Sequence, residues 1–172
     1  MTRSWRWVTA VIAGIIAFGV SFDQVTKAWA ISRLAPGQRV SLIGNLLEFS
    51  LIRNPGAAFG RGTSLTVVFA ALGVIVLIFL AVFALSRVRC TIWAIIIGLG
   101  MAGVLGNLID RMVRPPGFMF GHVIDFISLK YFAVFNVADM MLTGAAALAI
   151  MVSLFPKISW DGSRLKDTVT KV

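Results

Sequence analysis

The chain has 172 residues, of which 59% are hydrophobic and only 13% are charged. A soluble domain is usually about half apolar and a quarter charged, so this composition excludes an ordinary water-soluble fold and indicates an integral membrane protein. The net charge of +9 would suggest nucleic-acid binding in a soluble protein, but here the basic residues flank apolar runs, where they anchor helices to lipid headgroups. We therefore expect no nucleic-acid partner.

Four apolar runs are long enough to cross a bilayer, which takes about 20 residues of helix. They predict helices at roughly 7–28, 64–86, 91–112 and 136–155. The first run has a competing interpretation as a cleaved signal peptide, because Ala28-Trp29-Ala30 fits a small-x-small cleavage site. Asp23 and Lys27 fit poorly in such a segment, and three more spans follow, so a spanning helix is favoured.

Four spans place both termini on one side of the membrane. Basic residues are denser on the termini and the 87–91 loop than on the other two loops, which favours cytoplasmic termini, including the tail 157–172. Segment 29–63 and loop 113–135 then lie outside. In segment 29–63 apolar and polar residues alternate loosely between glycine and proline turns, which predicts a small extracytoplasmic β platform. We expect a single domain, mainly α, with this platform between helices 1 and 2 of a four-helix bundle.

Small residues recur every four positions along the third predicted helix. They are Ala94, Gly98, Ala102 and Gly106. Residues at this spacing share one helix face, and small side chains there let a second helix approach closely. The stripe therefore predicts a helix-packing surface.

Four acidic residues lie at or near the predicted outer ends of the helices. They are Asp23, Asp110, Asp125 and Asp139. A carboxylate at this depth is costly unless it is paired, so each is a functional or structural candidate. Lys27 follows Asp23 by one helical turn, and Arg111 follows Asp110 directly, so both carboxylates have a candidate ion-pair partner.

Asp125 and Asp139 have no lysine or arginine within four positions. Asp139 also fits a simple helix start, where a carboxylate accepts backbone N–H bonds, and that alternative stays open. Two carboxylates held together in a desolvated site ionise one at a time, which leaves one base and one acid. Such a pair can activate water and polarise an amide carbonyl.

Other hydrolytic sites lack essential residues here. His122 is the single histidine, so no H-E-x-x-H zinc site exists, and no G-x-S-x-G nucleophile motif occurs. His122 itself either tunes Asp125, three positions later, or is a polar surface residue of the loop. We expect no metal and no cofactor.

Five sequence blocks carry a family resemblance. In chain order they are DQVTK at 23–27, RNPGAAFG at 53–60, GNLIDR at 106–111, HVIDFI at 122–127 and FNVAD at 135–139. Together they resemble the lipoprotein signal peptidases, the bacterial type II signal peptidases of the aspartic class. That family cleaves before the diacylglyceryl-modified cysteine of a prolipoprotein, at the outer leaflet of the inner membrane, and is blocked by globomycin-type cyclic peptides.

The resemblance implies that Asp125 and Asp139 are the catalytic dyad. It implies substrate-binding or supporting roles for Asn54, Gly56, Asn107, Arg111 and Asn136. It implies structural support from Asp23, Lys27 and Asp110. The expected partners are the prolipoprotein substrate, membrane lipids and globomycin-type inhibitors, and we expect a monomer in the inner membrane with its site near the outer face.

Two departures from the family pattern affect the loop that would border the substrate. Arg114–Phe120 looks like an insertion, and the gap from Asp125 to Asp139 is short. Two other functions compete with peptidase activity. A small proton-coupled transporter would also use intramembrane carboxylates, although these lie near helix ends and the spans lack internal proline. A non-catalytic scaffold would use the small-residue stripe but leaves the isolated carboxylates unexplained.

Overall fold

The computed structural model describes residues 4–56, 64–154 and 158–163. The helices are α1 (Trp5–Arg33), α2 (Ser64–Arg87), α3 (Thr91–Val113) and α4 (Val137–Leu154). The strands are β1 (Arg39–Ile43), β2 (Leu47–Asn54) and β3 (Val123–Leu129). All four helices are long and apolar enough to cross a membrane, which confirms the predicted mainly α membrane fold. Helix α1 is longer than predicted, because it begins at Trp5 and continues to Arg33.

Helix α3 is at the centre of the bundle and contacts the other three helices. Half of its spanning window is buried, against 11–22% for the others. The small-residue stripe accounts for this position, because Gly98 packs against Ile15 of α1 and Gly106 lies against Ala138 of α4. Large apolar side chains on the remaining helix faces are exposed, as lipid contact requires.

The sheet is antiparallel, with strand order β1-β2-β3. The β1–β2 pair lies between α1 and α2, as predicted, although residues 57–63 of the predicted platform lie outside the described residues. The third strand corrects the prediction, which treated 113–135 as a loop. β3 pairs with β2 across some seventy residues of sequence, for example Ile52 with Asp125, and no local pattern signals such a distant partner.

The sheet is fixed to the end of α1 by an apolar cluster. Ala30 of α1 and Leu34, directly after the helix, pack with Phe126 of β3, and all three are buried. The Trp29 ring meets the Phe49 ring edge-on at a centroid distance of 5.0 Å. β3 is therefore held from both sides, by β2 in the sheet and by α1 beneath it.

Part of the C-terminal tail packs on the opposite end of the bundle. The Trp93 indole N–H donates to the Ile158 carbonyl at 2.9 Å, and the Arg89 N–H donates to the Trp160 carbonyl at 3.0 Å. The Trp160 ring contacts the Phe83 ring edge-on. Residues 158–163 thereby cover the connection between α2 and α3.

The close contact between α3 and α4 at Gly103 can be tested by substitution. A Cβ added at Gly103 would lie 2.5 Å from the Ala138 carbonyl oxygen and 3.0 Å from the Leu142 nitrogen, so α4 would have to move. We expect Gly103→Ala to lower stability by about 1–3 kcal/mol, measured by thermal unfolding in detergent. Gly14→Ala is the matched control, since nothing lies within 4 Å of its added Cβ. An unchanged Tm for Gly103→Ala would contradict this packing.

Candidate active site

The candidate site residues come together where α3, α4 and the sheet meet. Asp125 lies on β3, and Asp139 lies in the first turn of α4. Three asparagines surround them, namely Asn54 at the end of β2, Asn107 on α3 and Asn136 directly before α4. The polar positions of four separate sequence blocks are thus neighbours in space.

Asp125 is a buried carboxylate that accepts two amide hydrogen bonds. Asn54 Nδ2 donates to its Oδ2 at 2.9 Å, and Asn136 Nδ2 donates to its Oδ1 at 2.6 Å. Burial raises the pKa of Asp125 to about 6, which the negative charge of Asp139 reinforces, while the two amide bonds and the Lys27 charge partly oppose the rise. Its proton is therefore held far more tightly than that of an ordinary aspartic acid.

The two carboxylate oxygens of Asp139 accept hydrogen bonds from different residues. Oδ2 accepts from the Asn136 backbone N–H at 3.2 Å, while the Asp139 N–H donates to Asn136 Oδ1 at 3.0 Å. This reciprocal pair closes the start of α4 as a capping box does. The helix-start interpretation is therefore correct for Oδ2. Oδ1 instead accepts from Asn107 Nδ2 at 2.7 Å. The carboxylate also lines an apolar cavity of about 410 Å3 with Phe135 and Met140.

Asn136 links the two carboxylates and is fully buried. Its side-chain Nδ2 contacts Asp125, while its backbone N–H and Oδ1 both contact Asp139. The negative charge of Asp139 contributes to the raised pKa of Asp125.

The N-P-G block orients Asn54. The Gly56 N–H donates to Asn54 Oδ1 at 2.8 Å, which leaves Nδ2 free to face Asp125. Gly56 has a φ of +91°, and an added Cβ would lie 2.8 Å from the Phe69 ring. Glycine is required here both for the backbone conformation and for the space.

A buried ion cluster lies beneath the site. Lys27 Nζ is 2.8 Å from Asp23 Oδ2 and 2.8 Å from Asp110 Oδ2. Asp23 Oδ1 accepts from the Ala138 N–H at 2.9 Å, and Asp110 Oδ2 accepts from the Ile124 N–H at 3.1 Å. Each carboxylate therefore holds the backbone of the residue directly before one of the site aspartates.

The predicted Asp110–Arg111 ion pair is wrong. Asp110 instead pairs with Lys27 and with Arg114, whose Nε is 2.6 Å from Asp110 Oδ1. Successive residues on a helix point about 100° apart, whereas residues four apart share a face. Sequence reasoning also missed Gln24, which contacts Asp23, Asp110 and the Gly106 carbonyl. Gln24 lies inside the DQVTK block at 23–27, and this position was the feature of the sequence that could have identified it.

Arg111 faces another cavity, of about 350 Å3, together with Asn107 and Phe69. Its guanidinium lies 5.8 Å from the centroid of the Phe69 ring, and its NH1 donates to the Asn107 carbonyl at 3.3 Å. Its Nε is buried and has no hydrogen-bond partner among the described residues. Arg111 thus retains a donor for a further acceptor.

The Arg114–Phe120 segment folds back on the end of α3. The Gly121 N–H donates to the Arg111 carbonyl at 3.1 Å, and the His122 N–H donates to the Pro115 carbonyl at 3.1 Å. The segment lines neither of the two cavities beside Asp139 and Arg111. Among the described ranges, no three His, Cys, Asp or Glu side chains are grouped so that they could hold a metal ion.

The raised pKa of Asp125 predicts a pH-dependent stability difference. Its folded-state pKa of about 6 exceeds the ordinary 3.8, so ionisation destabilises the fold as pH rises between these values. Asp125→Asn does not titrate, so its Tm relative to wild type should rise from pH 4 to pH 7, equivalent to about 3 kcal/mol. Asp161→Asn, at an exposed tail position, should show no such rise. A difference independent of pH would contradict the burial of an ionisable Asp125.

Proteins with similar sequences are named lipoprotein signal peptidases. The family model "Signal peptidase (SPase) II" matches residues 15–155. The lipoprotein signal peptidase of Leifsonia xyli subsp. xyli is 43% identical over 91% of this chain and 73% of that protein. Those of Mycobacterium avium and Streptomyces coelicolor are 41% and 38% identical, over 89% and 96% of this chain and 81% and 80% of their own length.

Two solved structures share the fold. Both are described as a bacterial membrane enzyme determined by the in meso method. The one at 2.3 Å is 31% identical, with a TM-score of 0.78, and the match covers 100% of this chain and 96% of that one. The one at 1.9 Å is 32% identical, with a TM-score of 0.76, over 85% and 94%. The chain is a multi-pass membrane protease and belongs to the signal peptidase II family.

Proposed function

We propose that the protein is an aspartic endopeptidase that removes the signal peptide from diacylglyceryl-modified prolipoproteins by cleaving before the lipidated cysteine. The main support is the pair of coupled carboxylates, Asp125 and Asp139, which Asn136 links beside apolar cavities. The relatives' name, lipoprotein signal peptidase, supplies the substrate class.

The chemistry requires one ionised and one protonated carboxylate. Because burial raises the pKa of Asp125 to about 6, we assign Asp125 as the initial acid and Asp139 as the initial base. Asp139 takes a proton from water, whose oxygen attacks the scissile carbonyl carbon, while Asp125 donates its proton to the carbonyl oxygen. When the tetrahedral intermediate collapses, Asp125 takes back a proton from one of its hydroxyl groups, the C–N bond breaks, and the leaving amine receives the proton held by Asp139.

The cavities suit a lipidated substrate. Asp139 lines the cavity that contains Phe135 and Met140, so an acyl chain or apolar signal sequence lying there would place a peptide bond near the carboxylate. Arg111 lines the other cavity, where its Nε, which has no partner in the described part of the chain, would donate to a substrate carbonyl. Globomycin-type cyclic peptides would compete for the same space.

The orientation in the membrane follows from the distribution of basic residues. We place both termini in the cytoplasm and the sheet, with Asp125, at the outer face of the inner membrane. Lipid-modified substrate would then reach the site from the outer leaflet. We propose a monomer, because α1, α3, α4 and the sheet all come from one chain and complete the site.

Substitution of either aspartate tests the proposal. Asp125→Asn and Asp139→Asn should each reduce release of the signal peptide from a purified diacylglyceryl-modified prolipoprotein by roughly 10²–10⁴-fold, since each loses a proton-transfer group. Thermal unfolding should show that both remain folded, and Asp161→Asn should retain full activity. EDTA should leave the rate unchanged. Full activity in either variant would exclude the dyad, whereas proton or solute flux in liposomes without cleavage would favour a transporter.

Arg111 provides a separate test of substrate binding. Arg111→Met should lower kcat/KM by roughly 10- to 100-fold, because a hydrogen bond to a charged group contributes about 1.5–3 kcal/mol. Arg111→Lys should recover only part of the loss, since one ammonium cannot replace the planar guanidinium. Arg89→Met, beyond the other end of α3, is the control. An unchanged kcat/KM in Arg111→Met would remove Arg111 from the substrate site.

A further inference from the structure

We propose that Lys27 is a positioning residue that determines which end of the Asn107 amide faces Asp139 and, through Asn107, which end of the Asn136 amide faces Asp125. The inference rests on the proposed function, because it gives both aspartates a catalytic role. It goes beyond structural support in assigning to Lys27 a direct effect on how the two carboxylates are hydrogen-bonded.

The argument begins with the donors of Lys27. The side chain is fully buried, and Nζ lies 2.8 Å from Asp23 Oδ2, 2.8 Å from Asp110 Oδ2 and 3.1 Å from Asn107 Oδ1. An ammonium group has three N–H donors and no acceptor. A fourth oxygen, the Gly106 carbonyl, is more distant at 3.5 Å, so the three shorter contacts match the three donors, and each partner must present an oxygen.

This requirement orients Asn107. An asparagine amide has an acceptor at one end and a donor at the other. Because the ammonium accepts nothing, Oδ1 must face Lys27, and Nδ2 then points at Asp139 Oδ1, 2.7 Å away. The reversed amide would place NH2 against an ammonium and a carbonyl oxygen against a carboxylate, which are two repulsive contacts in a buried site.

The orientation of the Asn107 amide in turn fixes that of the Asn136 amide. Asn107 Oδ1 also accepts from Asn136 Nδ2 at 3.1 Å, so the NH2 end of Asn136 is turned toward it. That Nδ2 also donates to Asp125 Oδ1 at 2.6 Å, while Asn136 Oδ1 accepts from the Asp139 N–H. The Lys27 ammonium, which can only donate, thus fixes the orientation of two amides. As a result, Asp125 and Asp139 each accept a hydrogen bond from an amide NH2 group.

The charges around the site indicate that Lys27 acts through hydrogen-bond direction more than through net charge. Its charge is opposed at contact distance by Asp23 and Asp110, so the cluster that includes Arg114 is formally neutral. Arg111, on α3, is a second cation whose charge interacts with that of Asp125. Arg114 touches Asp110 without contacting Asn107, which makes it a matched control within the same cluster.

The test uses variants that separate these effects. Lys27→Met leaves a buried negative charge, so Lys27→Met/Asp23→Asn is the charge-balanced version, with Asp23→Asn alone as its reference. For each folded variant, kcat, KM and the pH profile of kcat are measured with a diacylglyceryl-modified prolipoprotein, and Tm is measured in detergent.

We expect the charge-balanced variant to lose roughly tenfold in kcat relative to Asp23→Asn, with little change in KM. Its pH profile should move about one unit to higher pH, because a carboxylate pair that loses a donor holds its proton more tightly. Arg114→Met should lower Tm while keeping the wild-type pH profile. Lys27→Arg should also keep the profile, since a guanidinium is likewise donor-only.

Asn107→Leu shows whether Lys27 acts through Asn107. In that background, the charge-balanced substitutions should not move the pH profile beyond Asp23→Asn/Asn107→Leu, because the amide is gone. An additive shift would overturn the inference, as would a wild-type profile in any folded variant without a cation at position 27. If every such variant failed to fold, Lys27 would be structural only. The proposed function fails separately, if Asp125→Asn or Asp139→Asn retains activity.

Discussion

The rest of the structure depends on one buried ammonium group held between two carboxylates. Burying each charge of Lys27, Asp23 and Asp110 costs several kcal/mol unless the charges are paired and hydrogen-bonded, and here they are both. The carboxylates also accept the N–H groups of Ile124 and Ala138. The cluster therefore joins α1, α3, β3 and α4 and sets the backbone directly before each candidate catalytic aspartate.

The small residues of α3 are what bring the cluster together. A Cβ on Gly106 would lie 2.7 Å from Asp23 Oδ2, so any side chain there would displace the carboxylate that holds α4. Gly103 likewise gives space to the backbone of Ala138. Helix packing and site geometry therefore depend on the same glycines, because the ion pairs form only when the helix backbones come close.

One carboxylate of the site lowers the stability of the folded protein. Asp125 is buried at an energetic cost, which the amides of Asn54 and Asn136 only partly offset. A carboxylate stabilised fully as an anion would be a poor proton donor near neutral pH. The two amides that donate to Asp125 are neutral, so they offset the cost of burial less than a contacting cation would, and the pKa of Asp125 stays raised.

Local sequence determined the four helices, since an apolar run of sufficient length has few alternatives in a bilayer. It also singled out Asp125 and Asp139, because each lacks a basic neighbour, and the ordered blocks supplied the family. Only the tertiary structure decided that β3 completes the sheet, that Asp110 pairs with Lys27 and Arg114, and how the Asn107 amide is oriented. These features join residues far apart in the chain or choose among several partners on one helix, and neither choice leaves a local pattern.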